Sequence, residues 1–548
     1  MKLTIENLIK EALESVGSGE AKFTVEHPDN LTFGDYSTNA GIVSKKAPEL
    51  LKYIDENKPE GVEKVEIKSG FINFYLSKEF FKKSIGEIIE TGDEFGKNKN
   101  LSGQKTIVEY TDPNPFKEFH IGHLMSNAIG ESISRIVEWN GTEVKRACYQ
   151  GDVGMHVACA VWARMKASEN QGIDWGHLYA EGFQAYEKNE EARKEILAIN
   201  KKIYGHDPEI EIVYKHGKEE SLRSFEKMYS RLGTVFDFYF FESQTEGIGK
   251  EIVEENTPNV FEKGEGGAII FDAEKFDKHL HTRVFINSEG LPTYEAKELG
   301  LAKIKYEKYK YNKSIVITGN EVNDYFKVLL CAMSQISDLS GLVEKTLHKS
   351  HGMLRLPSGK MSSRTGDVIT AEALIKEVKD KVKDDEAVAI GAIKYMILRQ
   401  SIGNDIIFDI EKFVSTEGDS GVYLQYAYAR TTSLLEKAQH QGEGLAETGP
   451  ARPHDNSGAG GDNRNTHEVE KLLYRFPEIV ERAGSEYSPN IIVTYLTELA
   501  GSFNNFYAHE KIVGDTPDSA YRIMIARAFR IVMKNGLNVL GIPAPEKM

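Results

Sequence analysis

Hydrophobic and polar positions change their period along this chain, and each change marks a different kind of unit. Near the N-terminus Leu8, Ile9 and Leu13 recur at helical spacing, and short runs at 65–67 and 71–76 read as strands. Residues 1–100 therefore read as a small α/β domain. The run 105–110 is β-branched and apolar, as a buried parallel strand is. After a proline-containing loop, Leu124, Ile129, Ile133, Ile136 and Val137 return to helical spacing until Asn140-Gly141 stops the helix. From about 161 to 280 the chain is mostly helical and charged, and reads as an insertion between two halves of one α/β domain over 101–370. Within and after it, 268–271 and 283–286 are strand-like, and 314–319 is another buried strand. From 371 to 548 the pattern is helical, with Val388, Ile390, Ile393 and Ile397 on one face. Residues 440–465, rich in glycine with Pro450 and Pro453, read as a flexible loop inside that helical domain.

Composition narrows the function class. The chain has 548 residues, enough for several cores, and 40% of them are hydrophobic. No apolar run reaches the length of about 18 residues that spans a bilayer, and the first residues lack a signal-peptide block. Cys148, Cys159 and Cys331 have no paired spacing, so neither disulfides nor zinc are expected, and the cytoplasm is the expected compartment. A net charge of −16 argues against coating nucleic acid unspecifically, but leaves room for a local basic face. Arg522, Arg527, Arg530 and Lys534 on the last helix form one candidate face. Lys303, Lys305, Lys308, Lys310 and Lys313, interleaved with Tyr306, Tyr309 and Tyr311, read instead as a solvated edge.

The candidate chemistry sits in two motifs. His120-Ile121-Gly122-His123 falls where a strand feeds a helix N-terminus, a place that suits phosphate. Gly122 lets a ligand approach closely, and both imidazoles can donate to phosphate oxygens. Lys360-Met361-Ser362-Ser363-Arg364 follows a turn signal, and a lysine on such a loop can close over a triphosphate. Together the motifs describe ATP held from two sides while a carboxylate attacks its α-phosphate. No GxGxxG fingerprint points to NAD or FAD.

On these motifs the chain resembles class I aminoacyl-tRNA synthetases, and the arginyl-tRNA synthetases among them. Residues 33–39 and 70–77, Gly151-Asp152-Val153-Gly154, Leu291-Pro292-Thr293-Tyr294, 421–427, 503–507 and the terminal 545–548 match that family's signatures in order. The resemblance implies a Rossmann-like catalytic domain with a helical insertion, a small α/β N-terminal tRNA-recognition domain and an all-α anticodon-binding domain. It implies arginine activation by ATP with Mg²⁺, then transfer to tRNA(Arg), in an enzyme expected to be monomeric and to bind neither DNA nor membrane. His120, His123, Lys117 and Lys360 are then the catalytic set, and Gly122, Asp152, Gly154, Gly319, Met361 and Ser362 bind ATP. Glu109, Asn114, Tyr294, Glu298 and one of Asn320 or Glu321 hold arginine, because a guanidinium favours paired carboxylates. Phe71, Asn73, Tyr426, Tyr507, Arg527 and Met548 meet tRNA. Two departures stand out: Glu298 replaces the family's usual Asp, and Ser363 replaces a second loop lysine, with Lys117 as its compensation. Absent zinc ligands argue against a cysteine enzyme, and acids in the pocket against a glutamate enzyme. The size of the helical domain argues against a simpler nucleotidyltransferase, and the intact motifs against an inactive tRNA-binding relative.

Overall fold

The computed structural model describes residues 1–168, 174–355, 369–440, 466–514, 516 and 518–548. Lys360, Met361, Ser362, Ser363 and Arg364, and the glycine-rich stretch after His440, lie outside the described residues.

The N-terminal domain carries α1 (Lys2–Ser15), β1 (Val25–Glu26), β2 (Tyr36–Thr38), α2 (Ala40–Ser44), α3 (Ala47–Glu56), β3 (Val62–Lys68), β4 (Phe71–Leu76) and α4 (Lys78–Thr91). Its antiparallel sheet runs β1-β2-β4-β3. Ile5, Leu8, Ile9 and Leu13 pack on Tyr36, Ile72 and Phe74 to form its core. Tyr36 donates to Glu478 at 2.6 Å and His27 lies 3.1 Å from the same carboxylate, which fastens this domain to the helical one.

The catalytic domain is a five-stranded parallel sheet in the order β12-β11-β5-β6-β7. Its elements are β5 (Lys105–Glu109), α5 (Ile121–Trp139), β6 (Glu143–Gln150), α6 (Met155–Lys166), α7 (Trp175–Lys188), α8 (Glu190–Tyr204), α9 (Pro208–Leu232), β7 (Phe238–Phe241) and α10 (Glu242–Glu255). There follow β8 (Glu262–Lys263), β9 (Ile269–Phe271), β10 (Arg283–Ile286), α11 (Tyr294–Lys308), β11 (Lys313–Gly319), α12 (Asn323–Gln335), α13 (Ser337–Val343) and β12 (Thr346–His351). The helices of the expected insertion run without a strand as far as Leu232, and β7, α10 and two short strands follow before residue 280. The aromatic run Phe238–Phe241 pairs with β6 at the sheet edge, and β8–β10 form a separate antiparallel sheet.

The Lys/Tyr stretch on α11 and after it is a solvated edge only in part: Lys308 and Lys310 are exposed, but its other members turn inward. Tyr309 and Tyr311 are buried with Ile107, Ala147, Phe240 and Leu301, and Lys305 is buried as well. A tyrosine ring covers apolar surface while its hydroxyl finds a partner, as Tyr309 does on the Glu143 carbonyl.

The C-terminal domain is all helical: α14 (Ala371–Lys381), α15 (Glu386–Leu398), α16 (Ile410–Phe413), α17 (Gly421–His440), α18 (Glu468–Leu473), α19 (Phe476–Glu486), α20 (Asn490–His509) and α21 (Ser519–Val539). The expectation of one apolar face understates α15, which is buried on every side from Val388 to Leu398. Its Lys394 is buried too, and donates to the carbonyls of Leu232 at 2.6 Å and Gly541 at 2.7 Å. One ammonium thus ties α9, α15 and the chain's end together. The basic residues of α21 are largely spoken for: Arg522 pairs with Glu510, Arg530 with Glu546 and Lys534 with Asp93.

Candidate active site

The carboxyl ends of β5, β6, β11 and β12 open on one edge of the parallel sheet, where ligands bind in such folds. His120 caps the helix that starts there. Its Nδ1 accepts the Gly122 N–H at 3.1 Å, and the His123 Nδ1 accepts the His120 N–H at 3.2 Å. The two rings stack with centroids 3.6 Å apart. A Cβ on Gly122 would meet the His120 ring at 3.0 Å, so this position suits glycine for packing as well.

The capping fixes the tautomer. With both Nδ1 atoms accepting, each neutral ring carries its proton on Nε2. Burial and the nearby Lys117 charge hold His120 down at about 4, and burial with the charge of His120 holds His123 well below its usual range. Both are neutral N–H donors at physiological pH, not cations. Positive charge in the described part of this edge comes from Lys117, which lies 4.9 Å from the Tyr179 ring centroid. Its own basicity is lowered by burial.

A third histidine joins them. His351 ends β12 beside Gly319 of β11, is buried, and shares a hydrogen bond between Nδ1 and the Gly352 carbonyl at 2.7 Å. It lies within electrostatic reach of His123. A histidine closing a buried strand next to a glycine-ended one was the signal for it. Of the alternatives after β11, Asn320 is half-buried, while Glu321 is exposed and curls back over Gly319.

Beside this edge lies a cluster of acids. Glu109, at the end of β5, is buried and pairs with the equally buried Lys305 of α11 at 2.7 Å. Glu298, two helical turns before Lys305, is pushed up to about 8 by burial and by the Glu109 charge. Asp112, which sequence reasoning missed, accepts the Tyr149 N–H at 2.7 Å. Burial and Glu109 raise its carboxyl well above the usual range, against the pull of that hydrogen bond. On α10, Glu242 pairs with the buried Lys297 at 2.6 Å, and burial raises the neighbouring Glu246 to about 7. Asn114 accepts the Gly151 N–H at 3.0 Å, which leaves its amide nitrogen for a ligand. Tyr294, 61% exposed at the start of α11, stands at the mouth of the cluster.

Asp152 has a different place from the one expected. It is fully buried and accepts from Ser243 N–H at 2.9 Å, Ser243 Oγ at 2.6 Å, Lys218 at 2.6 Å and Tyr214 at 3.0 Å. Three of these donors share Oδ2 and one reaches Oδ1, so that the carboxylate anchors α9 and α10 to the loop after β6. Gly154, at φ +114°, opens α6 in a conformation that L side chains rarely adopt.

The expected tRNA residues lie on the other domains. Phe71 is 41% exposed at the start of β4, whereas Asn73 is buried between β2 and β3 and does not present its amide at the surface. Tyr426 on α17 and the terminal Met548 are exposed. Tyr507 is half-buried beneath the Arg430 guanidinium, 4.0 Å from its ring centroid, and Arg527 is half-buried on α21. Among the described residues, no group of three or more His, Cys, Asp or Glu is placed to hold a metal ion, and no helix is long and apolar enough to cross a membrane.

Comparison with known proteins covers the chain from end to end. The family models for the arginyl tRNA synthetase N terminal domain, the catalytic domain of class I (R) tRNA synthetases and the DALR anticodon binding domain match residues 3–76, 85–410 and 424–548. The arginine–tRNA ligase of Treponema denticola is 29% identical over the full length of both chains. That of Treponema pallidum is 31% identical over 88% of this chain and 86% of its own. Arginyl-tRNA synthetase from Thermus thermophilus shares the fold at a TM-score of 0.78, with 22% identity and full coverage of both chains.

Proposed function

The chain belongs to the arginyl-tRNA synthetase family of class I enzymes, and from that premise we propose that it joins L-arginine to tRNA(Arg) at the site just described. The observation that carries this reading is the order of the matches. Recognition, catalytic and anticodon-binding units follow one another in a single chain.

The work divides as follows. ATP lays its phosphates across the N-terminus of α5, where backbone N–H groups and the helix dipole favour anions. The Nε2–H groups of His120 and His123 donate to the oxygens that gain charge as the arginine carboxylate oxygen attacks the α-phosphorus. The bond to the bridging oxygen breaks, and pyrophosphate leaves. Lys117 and Lys360 supply the positive charge that the neutral histidines do not. Mg²⁺ bound with ATP would supply further positive charge beside these lysines. Gly122, Gly319, Met361 and Ser362 shape the nucleotide site, and Asp152 and Gly154 hold its surrounding loop in place. The hydroxyl of the terminal adenosine, 2′ in class I enzymes, then attacks the arginyl carbonyl and AMP leaves. No covalent protein nucleophile is needed, so the rate comes from positioning and charge.

Glu109, Glu298, Tyr294 and Asn114, with Asn320, form the arginine pocket. Acids left unpaired by a smaller or neutral amino acid reject it without an editing domain. Phe71 stacks on a splayed tRNA base, while the buried Asn73 keeps the strand beneath it in register. Tyr426, Tyr507, Arg527 and Met548 mark the anticodon end. A monomer working in the cytoplasm, without DNA or membrane, completes the proposal.

Amino-acid-dependent ATP–pyrophosphate exchange across the twenty amino acids, with and without tRNA, tests it. Exchange with arginine alone is expected, and only when tRNA is present. Exchange with a different amino acid would sink the pocket assignment, and no exchange by folded, tRNA-binding protein would sink the enzymatic reading.

A further inference from the structure

Glu242 opens α10 and is only 4% exposed. Its Oε2 accepts from Lys297 at 2.6 Å, and among the described residues nothing donates to its Oε1. The pair is held rigidly, because Gly249 and Gly300 let the backbones of α10 and α11 touch. A Cβ on either glycine would run into a carbonyl of the other helix. Burial works against the charge on Lys297, but Glu242 outweighs it and holds the ammonium above its ordinary range. Burial also raises Glu242, against the pull of Lys297. A buried ammonium needs a carboxylate beside it, so one oxygen of Glu242 is taken by Lys297 and the other is a charged acceptor without a donor.

That oxygen shares its place with Asn114. Both stand over Gly151, just after β6: a Cβ on Gly151 would run into Asn114 Oδ1 and lie 3.1 Å from Glu242 Oε1. Asn114 Oδ1 accepts the Gly151 N–H at 3.0 Å, which fixes the amide's orientation and leaves Nδ2 as a donor. The Asn114 carbonyl accepts the Lys117 N–H at 3.2 Å, so this place lies one turn before the lysine that leads into the His120 cap. A free donor beside a free charged acceptor matches the head of an amino acid. The carboxylate takes the donor and the ammonium takes the acceptor. That head is neutral as a zwitterion, so its binding needs no surplus of acid.

We propose that Glu242 Oε1 receives the α-ammonium of the amino-acid substrate while the Asn114 amide donates to its carboxylate. This deepens the reading of the site as one that activates arginine and rests on it.

The test uses Glu242→Gln in the full chain. Lys297 draws the new amide's oxygen, which turns its nitrogen, a donor, toward the substrate. KM for L-arginine in pyrophosphate exchange with tRNA present should rise about tenfold to a hundredfold, with KM for ATP unchanged. The inhibition constant of 5-guanidinopentanoate, which is arginine without its ammonium, should not change, so the parent's preference for arginine over this analogue should shrink by the same factor. A residue that only holds Lys297 in place would weaken both ligands alike. Equal losses for arginine and the analogue, or an unchanged arginine KM, would therefore overturn the proposal. Should the variant not fold, a crystal structure of the parent protein with L-arginine decides the matter. Glu242 Oε1 within about 3.2 Å of the α-nitrogen supports the proposal, and a separation beyond hydrogen-bond reach refutes it. If the parent protein shows no arginine-dependent exchange at all, the arginine reading itself has failed. If it activates arginine and Glu242→Gln does so equally well, only this inference has.

Discussion

Buried carboxylates fall in two settings in the catalytic domain, and burial has opposite consequences in them. Glu131 of α5 accepts from the Tyr110 hydroxyl at 2.5 Å, from Arg135 at 2.7 Å and from Arg146 at 3.3 Å. Burial alone would raise its carboxyl, but the two guanidinium groups and the hydroxyl outweigh it and hold it below its ordinary value. Glu298 and Asp112 are raised, first by burial and then by the charge of Glu109, whose own partner is Lys305. The first group is complete within the chain and serves as scaffold. The second has more acid than resident cation, which is costly for the fold and useful for binding a cationic substrate.

If that contrast is right, neutralising one acid from each group should separate activity from stability. The largest effect is expected for Glu298→Gln. Its kcat/KM for arginine should fall about a thousandfold, the scale seen when a site built for a polar group loses its partner. Its thermal midpoint should hold or rise slightly, since a raised acid is a strained one. Pyrophosphate exchange and calorimetry on the same sample check both halves, and a large loss of stability would place Glu298 with the scaffold acids. Glu131→Gln should do the reverse. It leaves Arg135 and Arg146 without their full counter-charge and should cost about 3 kcal/mol of stability. The arginine KM of the protein that remains folded should not change. Denaturant unfolding beside steady-state kinetics would expose a shared role if both quantities moved together.

Much of the frame was readable from the chain. The strands at Lys105–Glu109 and Lys313–Gly319, and the helix stopped by Asn140-Gly141, follow from local period and punctuation, which survive in any context. The histidine motif was legible for the same reason, as a helix start. Partners far apart in sequence were not legible. Nothing near Glu109 announces Lys305, and nothing near Asp112 announces the Tyr149 N–H. Asp152 stood out as part of a motif, but the donors from α9 and α10 that make it an anchor of the fold did not. Asn73 and the cations of α21 show the same limit, since burial and pairing depend on which elements meet. The strand Phe238–Phe241 was hidden in a helical stretch because its four residues are too few to show a period.

The smallest expected effect gives the contrast its sharpest form, because the two groups should tilt stability with pH in opposite directions. In the folded chain Glu298 keeps its proton up to about 8, whereas an ordinary glutamate loses it near 4.5. Between those values the folded state binds the extra proton, so stability from this group falls as pH rises and levels off above about 8. Glu131, held below 4.5, contributes stability that is present above that value and is lost as the pH falls beneath it. Scanning calorimetry from pH 5.5 to 8 should therefore show the catalytic-domain transition of the parent protein drifting downward by about 2 °C. Glu298→Gln should lessen that drift, the raised Glu246 and Asp112 keeping the rest of it, and Glu131→Gln should leave its slope intact while lowering the whole curve. Equal slopes in the parent and Glu298→Gln would mean that Glu298 titrates as a surface acid does, and the distinction between the two groups would lose its electrostatic basis.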